Sequence, residues 1–223
     1  MKPIQQPASI PALFKFFLVL ALVLISSACS TMSTSTQSPS SPKVEINPDV
    51  FITLPTPEQL GYSVTASQLI TASWPSDDKS TNTQQTLPVH LEVSNDHLVL
   101  AGFSSWGTRI LSLTYQNENI ETSVLTGLEG SLPEPEQILF NLMITLWPLK
   151  AWEGPLNQVE WRISEEEKSR TIFDKNGDTV IHIEYQPSAP LSGLIQFTHQ
   201  QLGYSISIQT LDVDIKDPTT NDQ

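Results

Sequence analysis

Cysteine occurs once in the 223 residues, at Cys29, so no internal disulfide and no multi-thiolate metal site can form. Positive charge is scarce. Eleven Lys and Arg stand against 24 Asp and Glu, a net charge of −13 at pH 7. With no basic surface to neutralise phosphates, nucleic acid is excluded as a first-choice partner. Charged residues of both signs make up only 16%, and Gly is limited to 9. Gly-rich phosphate loops and a Gly-x-Ser-x-Gly nucleophile elbow are both missing. What remains is 39% hydrophobic, with five Trp and eight Phe, enough to build a core and to exclude disorder throughout. The length suits one domain of ordinary size.

Residues 1–28 read as an export signal. Lys2 and Lys15 supply positive charge, and residues 16–25 form an apolar run of about ten residues. That run is too short to cross a ~30 Å hydrocarbon core as a permanent helix. Small residues Ser26-Ser27-Ala28 then lead into Cys29. This resembles the lipobox of bacterial lipoproteins, with Ser26 where Leu is more usual, and implies cleavage before Cys29 and acylation of its thiol. An ordinary cleaved signal with an incidental Cys is the plainer alternative. Cleavage would leave 195 residues, and loss of Lys2 and Lys15 would take the charge from −13 to −15. Ser30, rather than Asp, follows the Cys; by resemblance to lipoproteins of diderm bacteria, that implies a periplasm-facing anchor in the outer membrane. Several acyl chains at ~0.8 kcal/mol per buried CH₂ would hold it there. Residues 29–54 are then the lipidated Cys29 and a Ser/Thr/Pro/Gln-rich tether without hydrophobic periodicity. An acidic body is repelled by anionic head groups, so its membrane contact is expected only through the anchor or an apolar patch.

Residues 55–213 alternate and turn. Leu87, Val89, Leu91 and Val93 fall on one face, with Pro88, His90 and Glu92 on the other, the signature of a half-buried strand. Asn95-Asp96 turns the chain into 97–103, giving a hairpin. A second hairpin joins 109–115 to 120–125 about Asn117-Glu118-Asn119. Segments 161–163 and 171–173 flank the charged turn Glu165-Glu166-Glu167-Lys168. Asn176-Gly177 signals a type I′ turn into 179–185. Segments 194–198 and 204–211 close the body, and 214–223 reads as a flexible tail. With 64–73, about ten strands result, at the spacing of an all-β sheet or barrel.

Residues 135–147 break this rhythm. Pro135 marks a helix start and Pro148 its stop. Ile138, Leu142 and Thr145 share one side; Leu139, Met143 and Leu146 share the next. A helix apolar almost all round must be buried, which places it in the concavity of a curved sheet. A shorter helical turn at Pro57-Glu58-Gln59-Leu60 is expected to cover one end. The fold class is therefore mainly β (α+β): a curved antiparallel sheet or incomplete barrel of about ten strands with a buried apolar helix. Two readings stay open. The helix fills the barrel as plain core, or helix and sheet part to admit an acyl chain, since an apolar cavity needs no specific chemistry to hold hydrocarbon.

Four segments carry a family resemblance: LGYSVTASQLITA (60–72), SSWGTRILSLTY (104–115), ILFNLMITLWPL (138–149) and LGYSISIQTL (202–211). Over about 54–212 the chain resembles a family of uncharacterised Gram-negative lipoproteins, a domain of unknown function. The genes of that family often lie in aryl-polyene pigment clusters beside a LolA-like carrier. Its architecture is similar to LolA and LolB, the periplasmic carrier and outer-membrane receptor of lipoproteins. The resemblance implies a LolB-like incomplete barrel with helices across its open side, and a LolA-like periplasmic carrier as partner. No exposed leucine-bearing loop of the kind LolB uses for membrane insertion is evident.

The most distinctive local motif is Trp106-Gly107-Thr108-Arg109, where Gly107 suggests a tight bend and Arg109 opens an otherwise apolar strand. The Arg109 guanidinium could meet a lipid carboxylate or phosphate at the barrel mouth, or simply bond turn carbonyls or an acidic neighbour. An apolar cavity is expected to be lined by Trp106, Arg109, Leu111, Leu113, Leu139, Leu142, Met143, Leu146 and Trp147. His90, His97, His182 and His199 show no metal-ligand spacing beyond the strand-face pair His182 and Glu184. Asp174-Lys175-Asn176-Gly177-Asp178 has its Gly two places early for a calcium loop and suits a hairpin turn. No cofactor, metal or catalytic residue is assigned.

The leading expectation is a non-enzymatic, outer-membrane-anchored lipoprotein that binds or transfers a hydrophobic lipid-like ligand, an acylated pigment or a lipoprotein acyl chain. Transfer would proceed between apolar surfaces as helix 136–147 shifts. The rival is a structural or assembly lipoprotein with a filled barrel, acting through protein contacts on its acidic surface. A hydrolase of envelope lipids is the third.

Overall fold

After a short hairpin of β1 (Lys43–Asn47) and β2 (Val50–Thr53), a 3-10 turn at Pro57–Leu60 leads into the main sheet. This is a computed structural model describing residues 41–76, 82–128, 134–187 and 190–216. The chain divides into the units Met1–Ser38 and Pro39–Gln223, and every described residue belongs to the second. The export signal, Cys29 and most of the tether lie outside the described residues. No helix among the described residues is long and apolar enough to cross a membrane.

Five strands run in series by hairpins: β3 (Ser63–Pro75), β4 (Asn82–Val93), β5 (His97–Phe103), β6 (Arg109–Gln116) and β7 (Asn119–Val124). Two helices come next, α1 (Pro135–Leu146) and α2 (Leu149–Asn157). A second series then returns: β8 (Arg162–Glu166), β9 (Ser169–Phe173), β10 (Thr179–Gln186), β11 (Leu194–His199) and β12 (Tyr204–Lys216). The two series join where the 13-residue strands β3 and β12 pair. The order is β7-β6-β5-β4-β3-β12-β11-β10-β9-β8, antiparallel throughout. Edge strands β7 and β8 do not pair with each other, so the ten-stranded sheet stays open, which decides between the sheet and the barrel that strand spacing left open.

Cross-strand rows build the inner face. Ala66, Leu91, Leu100 and Leu113 stand opposite one another across four strands, all buried. Tyr185, Ile195 and Ile208 form a matching row in the other half. Helix α1 begins with Pro at its first turn and ends at Trp147, whose extended backbone (ψ 145°) is what the following Pro148 demands. Helix α2 has no counterpart among the elements expected from sequence. It starts directly after Pro148 and carries Gly154 and Pro155 near its end, residues that read as a loop. The edge-to-face pair Phe140–Trp152, at 5.7 Å, joins the two helices.

Three details differ from the sequence reading. The last part of the predicted tether is folded instead: Val44, Ile46, Ile52 and Leu54 alternate inward from the β1–β2 hairpin and are buried in the core. Strands of five and four residues in Ser/Pro-rich surroundings are too short for periodicity to reveal. The tail predicted from 214 differs at its start, since Asp214, Ile215 and Lys216 pair with Thr65, Val64 and Ser63 as part of β12; its remainder lies outside the described residues. The folded body thus spans at least Lys43–Lys216. Finally, only Gly177 of Asn176-Gly177 has positive φ (87°). With Gly177 N–H donating to Asp174 O and Asp174 N–H to Asp178 O, this is a type I turn closed by a left-handed glycine, not type I′.

Candidate functional site: an apolar cavity under helix α1

The second half of α1 is clamped. Arg170 on β9 is only 3% exposed, and its Nη1 donates to the carbonyls of Ile144 (2.6 Å) and Trp147 (2.8 Å). Its Nη2 meets Glu165 at 3.1 Å. The guanidinium thus answers the orphan carbonyls and negative end of the helix. Tyr185 donates its hydroxyl to Thr145 O at 2.9 Å, and Trp147 Nε1 donates to Thr56 O at 2.9 Å. Burial pushes the Tyr185 hydroxyl up to about 12, so it remains a donor.

The first half of α1 borders a void instead. A cavity of about 530 Å³ lies between Ile138, Asn141 and Leu142 of the helix and the middle of the sheet. Strands β3 and β4 contribute Ile70, Ala72, Leu87 and Val89; β5 and β6 contribute Leu100, Phe103, Ile110 and Leu111. From the second series come Phe197, Ile206 and Ile208. Gly102 stands opposite Val89 and Leu111 in the same inward row, and the space of its missing side chain is taken by Leu87, whose Cδ2 would lie 2.7 Å from an added Cβ. Gln85, Thr86, Ser104 and Ser105 supply polar lining where the β5–β6 turn begins. Among the described residues no Asp, Glu, Lys, Arg or His lines the cavity. Ile70, Leu87, Phe103, Ile110, Ile138 and Ile206 remain half-buried, so apolar surface faces this space unpacked.

Of the residues proposed from sequence, Leu111 and Leu142 line the cavity. Trp106 and Arg109 do not. Trp106 is 91% exposed at the tip of the β5–β6 turn, held by Gly107 N–H donating to Ser104 O with Gly107 at φ 79°. Arg109 is exposed at the start of β6 and makes no ion pair among the described residues. Leu113 lies two residues further along β6, fully packed. Leu139, Met143, Leu146 and Trp147 are buried core outside the cavity lining. The reason is the helix's asymmetry: only its first turns stand over the void, while its clamped end packs tightly. Sequence reasoning missed the inward residues of β11 and β12, and Arg170. Strand alternation marks Phe197, Ile206 and Ile208 as inward, but only their three-dimensional neighbours show that they meet space.

Asn141 is the polar member of the α1 lining, at 9% exposure. Its Oδ1 accepts from Gln137 Nε2 at 3.0 Å and from the Tyr204 hydroxyl at 3.1 Å. Burial holds that hydroxyl up to about 12.

The other singled-out polar groups serve turns and packing. Ser94, Asp96 and His97 cluster in the β4–β5 turn, but Ser94 Oγ and Asp96 Oδ1 both meet the same ring nitrogen, Nδ1, at 2.9 Å. The other ring nitrogen, Nε2, lies 3.5 Å from Glu92 Oε1 on β4. Hydrogen bonding from Ser94, then His97, holds the Asp96 carboxyl below its usual range. His182 Nε2 lies 3.6 Å from Glu184. His199 is fully buried, facing Ile46 O and Leu202 N–H. Among the described residues no group of three or more His, Cys, Asp or Glu could hold a metal ion.

A comparison with curated proteins finds no match. Among solved structures, a LolA superfamily protein from Nitrosomonas europaea aligns with 70% of this chain and 87% of its own, at 7% identity and TM-score 0.40. A putative outer membrane lipoprotein-sorting protein domain from Vibrio parahaemolyticus aligns with 72% and 87%, at 10% identity and TM-score 0.35. A DUF1329 family protein from Desulfovibrio piger aligns with 74% and 91%, at 7% identity and TM-score 0.30. Likenesses this loose carry no information about ligand or activity. The sequence itself is more telling: residues 65–212, from β3 into β12, match the family described as "Protein of unknown function (DUF3261)", and the chain belongs to that family.

Proposed function

We propose that the domain is a non-catalytic binding module for a hydrocarbon chain, serving the bacterial envelope as a lipoprotein anchored through Cys29 to the outer membrane. The observation that carries the reading is the uncharged cavity of about 530 Å³ beneath the first half of α1. At ~30 Å³ per water-sized unit, it has room for on the order of eighteen methylenes, the scale of one long acyl chain. Entry would require movement only of the unclamped end of α1, while Arg170, Tyr185 and Trp147 hold the other end. Trp106, exposed beside the Ser104–Ser105 end of the cavity, would bring that end to an apolar surface, since Trp favours membrane–water interfaces. Cargo of this class includes a lipid, an aryl-polyene lipid or the acyl chain of another lipoprotein, handed over by a LolA-like carrier.

Native mass spectrometry of the chain from Ser30 onward, followed by solvent extraction, tests the proposal. That chain keeps the whole unit Pro39–Gln223. A stoichiometric, extractable lipid-like adduct is expected. A clean apo mass, unchanged after incubation with envelope lipid extract, would sink the reading in favour of a protein-contact role.

A further inference from the structure

The cavity is apolar, yet α1 presents one carboxamide to it. Asn141 Oδ1 receives two donors, Gln137 Nε2 and the Tyr204 hydroxyl, which uses both of its lone pairs. Its orientation is thereby set, and Nδ2 is left with no acceptor among the described residues. Nδ2 is not one of the fully buried unpartnered atoms, so in a residue that lines the cavity it is a donor a ligand atom can reach. Helix propensity does not explain an Asn here, because Asn is a weaker helix former than Leu or Met. Nor does α1 need it for its own hydrogen bonding: the Asn141 carbonyl already accepts from Thr145 Oγ1 at 2.6 Å.

We infer that the Asn141 carboxamide is a subsite for an uncharged hydrogen-bond acceptor on the ligand, an ester or amide carbonyl at the head of a hydrocarbon chain. The inference rests on the cavity being a ligand site and names the chemistry that site selects. A carboxylate or phosphate is disfavoured, because no lining residue carries a counter-charge and an unpaired buried ion is far costlier than a neutral carbonyl. A bare alkane fits the walls but leaves Nδ2 unanswered. An acyl group in ester or amide linkage satisfies both. Tyr204 stacks on Phe197 with centroids 5.9 Å apart, so its hydroxyl is held in place and keeps the amide turned the same way.

The test measures displacement of an environment-sensitive dye from the chain from Ser30 onward at pH 7.5. The probes are methyl palmitate, palmitate and hexadecane, delivered from cyclodextrin. The wild-type protein is expected to prefer methyl palmitate to palmitate. In Asn141→Leu the ratio of methyl palmitate to hexadecane affinity should fall about tenfold, the worth of one hydrogen bond. Tyr204→Phe keeps the ring stack, frees the amide and should lose part of the same ratio, which keeps the test usable if Asn141→Leu folds poorly. An unchanged ratio in the folded variants, or palmitate bound as tightly as its ester, overturns the subsite while leaving a hydrocarbon cavity intact. Failure of all three probes to displace dye from the wild-type protein overturns the cavity reading and the subsite together.

Discussion

Arg170 Nη1 lies 2.6 Å from the carbonyl oxygen of Ile144, placing a buried guanidinium of the sheet under the last turn of α1. The same nitrogen reaches Trp147 O, so one side chain fixes the end of the helix that borders no cavity. Arg170→Met should destabilise the domain by about 3 kcal/mol, because two buried carbonyls lose their donor. Arg170→Lys should recover little, since an ammonium cannot reproduce the planar fork. Glu165→Gln, removing the exposed partner, should cost under ~1 kcal/mol. Urea unfolding of the three variants checks the order.

Filling the cavity separates binding from folding. Ala72 is half-buried in the lining, and Ala72→Phe adds bulk to a void rather than to a packed core. The variant should keep or slightly raise its Tm, while affinity for acyl-chain probes drops at least tenfold. Leu142→Asp, which puts a charge into the same space, should also abolish uptake. Unimpaired binding by folded forms of both would place the ligand elsewhere.

Trp106 contributes nothing to the core at 91% exposure, so Trp106→Ser should leave stability within ~0.5 kcal/mol of the parent. Equilibrium binding of probes in solution should be unchanged. Transfer of a fluorescent acyl probe to and from phospholipid vesicles should slow, read by stopped-flow dequenching. Equal transfer rates would remove the tip from the mechanism.

His199 makes stability depend on pH. Its Nδ1 accepts from Leu202 N–H at 3.2 Å and its Nε2 faces Ile46 O at 3.3 Å, a pairing that suits the neutral Nε2–H form. Desolvation by burial pulls its pKa below 6.5, outweighing the Ile46 bond that pushes the other way. The unfolded state therefore binds the proton more readily. The stabilising contribution is full above about pH 6.5 and is lost as pH falls from there toward the depressed folded value. His199→Gln should be less stable at pH 7.5 and show a flatter Tm between pH 7 and 5 than the parent. Parallel Tm curves for the two proteins would assign the acid sensitivity to other groups.

Much of the architecture was legible in one dimension. Alternation in 87–93 and 97–103 marks strands that pair with Leu91 opposite Leu100, and Pro135 and Pro148 bracket α1. The β1–β2 hairpin and α2 were not legible, because each is too short or too rich in turn residues for periodicity to outweigh composition. The site was only half legible for a related reason. Apolar patterning identifies Leu111, Leu142, Leu139 and Met143 alike as inward, yet only the first two line the cavity.

By itself, then, the sequence determined the local elements, their hairpin order and the inward face of each strand and helix, since these depend on neighbours a few residues apart. Only the tertiary structure decided where inward surface is packed and where it meets open space. That choice depends on contacts between distant segments: Arg170 under the end of α1, Leu87 over the gap at Gly102, and Tyr204 turning the Asn141 amide.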